Sequence, residues 1–288
     1  MEDNKEIKTA AGNIPSAEEQ DKNRRKRKTA RAALSFGIMV LLLVILFFAA
    51  VNIGSLKVTF PQLFRGIFLE PDETVSAIFD LRFPRFMISM LAGAAVAVSG
   101  VLFQAVLKNP LADPGIIGIS SGASFAAVII TAAAPALFFF TPFFAFLGGV
   151  LAFFLVYTLS WKGGLSPLRI ILVGVAVNSM FTGLSSAMNS MSGGNMSGVA
   201  SIVNGNITMK TWEDVQTLVP YVIIGLILSL VFAGKCNLLS LEDKTARSLG
   251  VNVNTMRILI SLAAVLLASI STAVAGAVSF LGLIVPHI

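Results

Sequence analysis

Long apolar runs of about 20 residues are the feature that most constrains this chain, because that is the helical length needed to cross the hydrocarbon core of a membrane. Of the 288 residues, 56% are hydrophobic and only 12% are charged, whereas soluble domains carry roughly 25% charged residues. Lipid cannot satisfy exposed backbone groups, so each run must be helical. The sequence therefore predicts an all-α fold, a polytopic transmembrane helix bundle.

Seven full spans are predicted, and the start of an eighth follows them. A polar tail at 1–33 precedes the membrane domain, and its mixture of acidic and basic residues predicts disorder. The segment 191–214 is too short to span and predicts a re-entrant or interfacial piece on the outer side. The seven predicted spans cover residues 34–53, 86–106, 115–134, 142–160, 168–190, 215–233 and 256–278.

The distribution of basic residues predicts the orientation. With the amino terminus in the cytoplasm, the predicted inner segments hold 16 of the 21 Lys and Arg residues, which agrees with the positive-inside rule. The basic residues flank apolar runs, so membrane orientation explains them better than nucleic-acid binding does. The predicted location is the bacterial cytoplasmic membrane, with several passes through it.

Asp, Glu, Lys and Arg are missing from the cores of the predicted spans, away from their ends. Ion-coupled carriers usually depend on such residues at mid-membrane, so an ion-coupled secondary transporter is the alternative and not the leading hypothesis. One histidine, His287, and one cysteine, Cys236, are too few for a metal site or a catalytic constellation. The chain has no Gly-x-x-x-x-Gly-Lys-Ser/Thr loop, so it predicts no enzyme and no bound cofactor.

A series of motifs rich in proline and glycine lies between residues 81 and 124. Pro84, in Leu-Arg-Phe-Pro-Arg, can begin a helix because its missing amide would have no partner there. Arg82 and Arg85 then stay at the outer surface as fixed positive charge. Pro110 and Pro114, in Lys-Asn-Pro-Leu-Ala-Asp-Pro-Gly, predict a tight inner turn because residues before prolines avoid the helical region.

A polar inner loop at 237–251 predicts a short helix. Ser240 can cap it, and Glu242 and Asp243 suit the positive end of its dipole. Gly250 can end it in a left-handed conformation. Taken alone, this pattern leaves two interpretations open: the helix lies flat on the membrane, or it docks on a partner protein.

Five motifs in a fixed order carry a family resemblance: Leu-Arg-x-Pro-Arg, Ser-Gly-x-x-x-Gln, Asn-Pro-Leu-Ala-x-Pro, Leu-Gly-Val, and the terminal Gly-Leu-Ile-Val-Pro-His. Over residues 34–288 the chain resembles the permease subunits of ATP-binding-cassette (ABC) importers for iron-siderophores, haem and cobalamin. The resemblance implies a ten-helix subunit that imports an iron-siderophore-type chelate. Relative to that family, the domain at 34–288 is expected to be incomplete at its carboxyl end.

The resemblance also implies partners and roles. It implies two cytoplasmic ATPase subunits, an extracytoplasmic substrate-binding protein, and a second permease subunit in a homodimer or heterodimer. Arg82 and Arg85 match the family's binding-protein docking arginines. The segment that matches the inner coupling helix, which contacts the ATPase, contains Glu242, Asp243, Ala246, Arg247, Leu249 and Gly250.

Further positions match the structural motifs of that family. The terminal Pro-His motif implies a structural role for His287, and no role as an iron ligand. The structural positions are Gln104, Asn109, Pro110, Pro114, Gly118, Pro286 and His287.

Overall fold

Helices make up most of the chain in the computed structural model, and no β-strand occurs in the residues that it describes. The chain divides into two compact units, residues 1–63 and residues 64–288. Each unit is described by itself. The described residues are 17–53, 57–69, 72–161, 167–191 and 202–288.

The first unit consists mainly of one helix, α1, at Ala17–Asn52. It begins well before the predicted span, so residues 17–33 differ from the expected disordered tail. The physical reason is that Ala, Glu, Gln, Lys and Arg, which fill this stretch, are strong helix formers. At the other end, the Asn52 amide donates to the carbonyl of Phe48 at 3.1 Å, and its side-chain oxygen accepts from the backbone N–H of Val58 at 3.0 Å.

The remaining helices follow in chain order, and two 3₁₀ segments at Pro135–Phe140 and Val285–His287 connect or extend them. Helix α2 crosses the boundary between the two units. The helices are α2 Phe60–Phe68, α3 Glu73–Leu81, α4 Phe83–Leu107, α5 Ile119–Ala133, α6 Thr141–Ser160, α7 Pro167–Met191, α8 Trp212–Leu239, α9 Asp243–Ser248, α10 Val253–Ala275 and α11 Leu281–Ile284.

Six helical stretches among the described residues are long and apolar enough to cross a membrane, with α3 and α4 forming one continuous stretch. The predicted third span is shorter than expected, because α5 has 15 residues and is about 22 Å long at the usual helical rise. Residues 115–118 form a turn, since Gly118 has a φ of +87°. The predicted class, an all-α transmembrane bundle, is confirmed.

Helix α10 is the central helix of the second unit and is the most deeply buried of the candidate spans. Two hydroxyl groups tie it to α4: Ser99 Oγ donates to the carbonyl of Ala264 at 2.7 Å, and Ser271 Oγ donates to the carbonyl of Ala92 at 3.2 Å. These neutral hydrogen bonds join the two helices without placing a charge inside the bundle.

Helices α5 and α6 cross at a pair of glycines. A Cβ added at Gly148 would lie 2.5 Å from the carbonyl oxygen of Gly122 and 2.5 Å from the Cβ of Ala126. A Cβ added at Gly122 would lie 2.5 Å from the Cβ of Ala152. Small residues four positions apart on both helices therefore permit a backbone approach that any larger residue would prevent.

Gly148→Ala should destabilise the protein by about 1–3 kcal/mol, because the added methyl must push two backbones apart. Gly234→Ala is a matched control, since a Cβ there meets no atom within 4 Å. The control should be neutral, or stabilising by up to about 1 kcal/mol through helix propensity. Thermal unfolding in detergent micelles would measure both, and equal midpoints for the two variants would contradict this packing.

Candidate functional site

The short helix α9 carries the predicted coupling residues. Its N-cap is Glu242 and not Ser240, whose hydroxyl donates back to the carbonyl of Cys236 at 3.3 Å within α8. The predicted cap was therefore wrong by two residues, because the serine satisfies a carbonyl at the end of α8 instead. Gly250 has a φ of +79°, the left-handed conformation expected after this helix.

One buried residue anchors α9, and its other predicted coupling residues remain accessible. Ala246 is only 1% exposed and belongs to the main hydrophobic core. Glu242, Arg247, Leu249 and Gly250 are exposed. This segment therefore presents a charged and partly apolar surface that a partner protein could contact, while its buried side, at Ala246, packs against the bundle.

Asp243, the first residue of α9, accepts two charged hydrogen bonds on one oxygen. Lys108 Nζ lies 2.8 Å and Arg257 Nη2 lies 2.9 Å from its Oδ1. The hydrogen bond from Lys108, together with the positive charge of Arg257, holds the pKa of this carboxyl below its ordinary value of 3.8. The carboxylate therefore stays ionised, and both ion pairs stay intact, throughout the physiological pH range.

A cleft of about 660 Å³ opens beside this ion-pair cluster. Lys108, at the end of α4, shares the cleft with Tyr157 and Trp161, at the end of α6, and with Arg247 and Arg257. The ends of α4 and α6 and the start of α10 therefore meet α9 at one end of the bundle, which we call the α9 end. Sequence analysis assigned no role to Lys108 or Arg257, although Lys108 is the first residue of the Lys-Asn-Pro-Leu-Ala-Asp-Pro-Gly motif.

The loop between α4 and α5 joins this end to the last described segment. His287 Nε2 lies 3.2 Å from the carbonyl oxygen of Pro110, and Gln104 Nε2 donates to the carbonyl of Gly282 at 3.4 Å. Asn109 Oδ1 accepts from the N–H of Leu111 at 3.0 Å, which closes a turn.

Two of the remaining predicted structural positions also contribute to this packing. Pro114 lies beside Gly282, where a Cβ added to the glycine would be 3.1 Å from the proline ring. A Cβ added at Gly118 would lie 3.2 Å from the carbonyl oxygen of Gly174, so Gly118 packs closely against α7. Pro286 lies in the 3₁₀ turn that follows α11. The structure therefore brings most of the sequence-predicted structural positions together around one loop.

Asp113 is the polar centre of this loop, and sequence analysis gave it no role. It is fully buried, and its Oδ1 accepts from the N–H groups of Gly115 at 2.8 Å and Ile116 at 3.2 Å. Its Oδ2 faces the start of α11 but makes no hydrogen bond of standard geometry. Burial raises the pKa of this carboxyl above 3.8, although the N–H groups of Ile116 and Gly115 oppose the shift.

The other end of the bundle holds the two predicted docking arginines. Arg82 joins α3 to α4, and Arg85 follows one turn later, so the two positions share one side of α4. Both side chains are half-buried. Trp212 Nε1 donates to the carbonyl of Phe79 at 3.2 Å, which fixes the start of α8 beside this corner. We call this the Trp212 end.

Helix α7 has an exposed stripe of small polar residues that sequence analysis missed. Ser179, Thr182, Ser186 and Ser190 recur every three or four positions, and all four are exposed. A Cβ added at Gly183, on the same side, would meet no atom within 4 Å. The regular spacing of hydroxyl residues inside the predicted span at 168–190 was the signal that could have revealed this face.

These features define a class of protein. A bundle of apolar helices carries a short charged helix at one end, and its described residues contain no group of three or more potential metal ligands. That class is the membrane permease of an ABC importer. The chain belongs to the FecCD transport family, which it matches over residues 42–288.

Comparisons with individual proteins agree with the family. The chain is 38% identical over 261 residues to the "Probable heme-iron transport system permease protein IsdF" of Staphylococcus aureus strain Newman, covering 91% of this chain and 79% of that protein. Strain MSSA476 of the same species has an IsdF with the same identity and coverage. A solved structure, described as an inward-facing metal-chelate type ABC transporter, matches with a TM-score of 0.69 and 29% identity, over 89% of this chain and 80% of that one.

Asp113→Ala should destabilise the protein by about 1–3 kcal/mol, because two buried N–H groups lose their acceptor. Asp113→Asn keeps one oxygen acceptor and removes the ionisation. Since the pKa of Asp113 is raised, the wild type gains stability as the pH falls toward the ordinary value of 3.8 and loses it as the pH rises. The gap in unfolding midpoint between wild type and Asp113→Asn should therefore change between pH 7.5 and pH 4.5 in favour of the wild type. A gap independent of pH would contradict the buried carboxylate.

Proposed function

We propose that this chain is the permease subunit of an ABC importer for an iron chelate, with haem as the first candidate substrate. The observation that carries the proposal is the match to the FecCD family over most of the chain, together with 38% identity to a protein named as a heme-iron permease. Iron-siderophores remain the second candidate within the same substrate class. The location that follows from this proposal is the bacterial cytoplasmic membrane.

The structural support for the proposal is the distribution of charge. Among the described candidate spans, the Asp, Glu, Lys and Arg residues lie near the ends of a span, as Arg169, Lys235 and Arg257 do, or where α3 meets α4, as Arg82 and Arg85 do. A carrier driven by protons depends on a titratable site inside the membrane. We therefore favour a nucleotide-driven mechanism, in which separate ATPase subunits supply the energy.

In this mechanism the α9 end faces the cytoplasm and the Trp212 end faces outward. The ATPase contacts the exposed side of α9 at Arg247, Leu249 and Gly250, and the binding protein docks near Arg82 and Arg85. The polar stripe of α7 faces the transport pathway opposite a second permease subunit. Hydroxyl groups exposed along a spanning helix support this assignment, because lipid does not favour them.

The substrate proposal predicts that cells lacking this gene fail to use haem as their sole iron source. Expressing the gene with its ATPase and binding protein should restore uptake of radiolabelled haem iron. Restoration should fail when the phosphate-binding lysine of the ATPase is replaced. Haem uptake that survives that replacement, and follows a proton or sodium gradient, would contradict the mechanism. If cells lacking the gene lose siderophore uptake but keep haem uptake, the substrate is an iron-siderophore, the second candidate.

The docking proposal predicts that Arg82→Glu combined with Arg85→Glu weakens binding-protein affinity by about 10- to 100-fold, because attraction to acidic groups becomes repulsion. Arg65→Glu is the control for charge reversal alone, since Arg65 is an exposed arginine in α2 on the side predicted to face outward. Affinity can be measured with the permease complex in lipid nanodiscs at low and high salt. Equal affinities for the double variant and the control would contradict this docking site.

A further inference from the structure

The ion-pair cluster of Lys108, Asp243 and Arg257 lies where the coupling helix meets the bundle. Asp243 belongs to α9, Lys108 ends α4, and Arg257 belongs to the first turns of α10. One carboxylate oxygen therefore connects the short helix to two different spanning helices, through bonds of 2.8 and 2.9 Å.

Helix α9 depends on contacts of this kind for its position. It has six residues, and isolated helices of that length are not stable in water. Its buried attachment is Ala246, which has only a methyl group to pack against the core. A methyl contact resists separation but permits sliding and rotation, whereas two charged hydrogen bonds to one oxygen fix a direction.

Lys108 holds this segment at two points. Its Nζ donates to Asp243 Oδ1 and also to the carbonyl of Leu241, just before α9. Its backbone has a φ of +49°, a left-handed conformation that non-glycine residues rarely adopt. Glycine is the usual residue at such a helix end, so a lysine there is explained by what its ammonium group contacts.

From Lys108 the hydrogen bonds continue into the bundle. Its backbone N–H donates to the carbonyl of Gln104, whose side chain bonds Gly282. Two residues beyond Lys108, the carbonyl of Pro110 meets His287. If α9 moves and pulls Lys108, α4 is therefore pulled directly. The segment around α11 is pulled through the loop between α4 and α5.

Arg257 provides the second connection. Its Nη2 bonds Asp243, while its Nε is buried and has no hydrogen-bond partner in the described structure. The side chain is 28% exposed, and that of Asp243 is 38% exposed. The guanidinium is thus held mainly by this one carboxylate, and removing the carboxylate leaves a partly buried charge without its partner.

We infer that the Lys108–Asp243–Arg257 cluster is the mechanical link that transmits movement of α9 to α4 and α10. Lys108 and Arg257 are then positioning residues for coupling, and neither has to touch the ATPase. The inference rests on the proposed function, in which an ATPase drives α9. Docking of the ATPase and transmission of its movement become separable properties, because docking uses the exposed face of α9 and transmission uses Asp243.

The test uses the whole transporter in proteoliposomes, with ATPase and binding protein present. Lys108→Met removes the charge and keeps the length of the side chain, and Lys108→Arg restores the charge. Lys235→Met is the matched control, because Lys235 is an exposed lysine near the end of α8. Three quantities are measured: copurification of the ATPase, ATP hydrolysis without binding protein, and substrate molecules transported per ATP.

Lys108→Met should retain the ATPase and its basal hydrolysis while transport per ATP falls by about 5- to 10-fold, the lower end of the fold-changes that typical coupling energies produce. Transport per ATP in the Lys108→Arg and Lys235→Met variants should remain within about twofold of the wild-type value. Asp243→Asn should reproduce the loss, since it weakens both ion pairs.

Three outcomes would overturn the inference. The first is a transport per ATP in Lys108→Met equal to that of the wild type. The second is an ATPase that fails to copurify with Lys108→Met, which would make the cluster a docking or folding element, and the third is a Lys108→Arg variant whose transport per ATP is as low as that of Lys108→Met. A failure of the proposed function would look different, because the wild-type complex itself would then transport without nucleotide.

Discussion

Close contact between helix backbones is the constraint on which the second unit depends. Gly122 and Gly148 let α5 and α6 approach until carbonyl oxygens meet α-carbons, and Gly100 lets α4 receive the carbonyl of Gly282 in the same way. In a membrane, helices gain little from hiding apolar surface from one another, so close packing and neutral hydrogen bonds must hold them together. Such contacts tolerate little deformation. The bundle is therefore suited to move as a rigid body, which agrees with the nucleotide-driven mechanism that we propose.

Because the bundle is rigid, the α4–α5 loop can pass a displacement from one end of the bundle to the helices that it contacts. In the coupling that we infer, a force applied at α9 reaches α4 directly through Lys108 and reaches the segment around α11 through this loop, because Pro110 contacts His287 and Asp113 lies buried at the loop's centre. The loop is held by side chain to backbone bonds from Asn109 and Asp113 and not by regular secondary structure. Its conformation is consequently specified by a few residues, which explains why the sequence there follows such a characteristic pattern.

The sequence predicts elements whose signals are local and misses contacts whose partners are distant. Pro84 and Gly250 act on their own backbones, so a helix start near 83 and a left-handed turn at 250 follow from their identities. The partner of Lys108 lies 135 positions along the chain, and no local pattern records that. Ser240 is not the cap of α9 because it ends α8, where its hydroxyl donates to the carbonyl of Cys236. The early start of α1 has a local cause, because strong helix formers at 17–33 favour a helix in spite of the mixed charge that predicts disorder.

The separation of charged and neutral contacts suits the energy source that we propose. Ser99 and Ser271 join α4 to α10 inside the bundle by neutral bonds, while Asp243 joins the same two helices at the α9 end by ion pairs. A charge is costly in hydrocarbon but inexpensive at a partly exposed helix end. Because α4 and α10 are joined at both levels, we infer that a pull on Asp243 acts on both helices together. A motor outside the membrane can then rock the pair through a polar attachment, and no ion has to enter the apolar core.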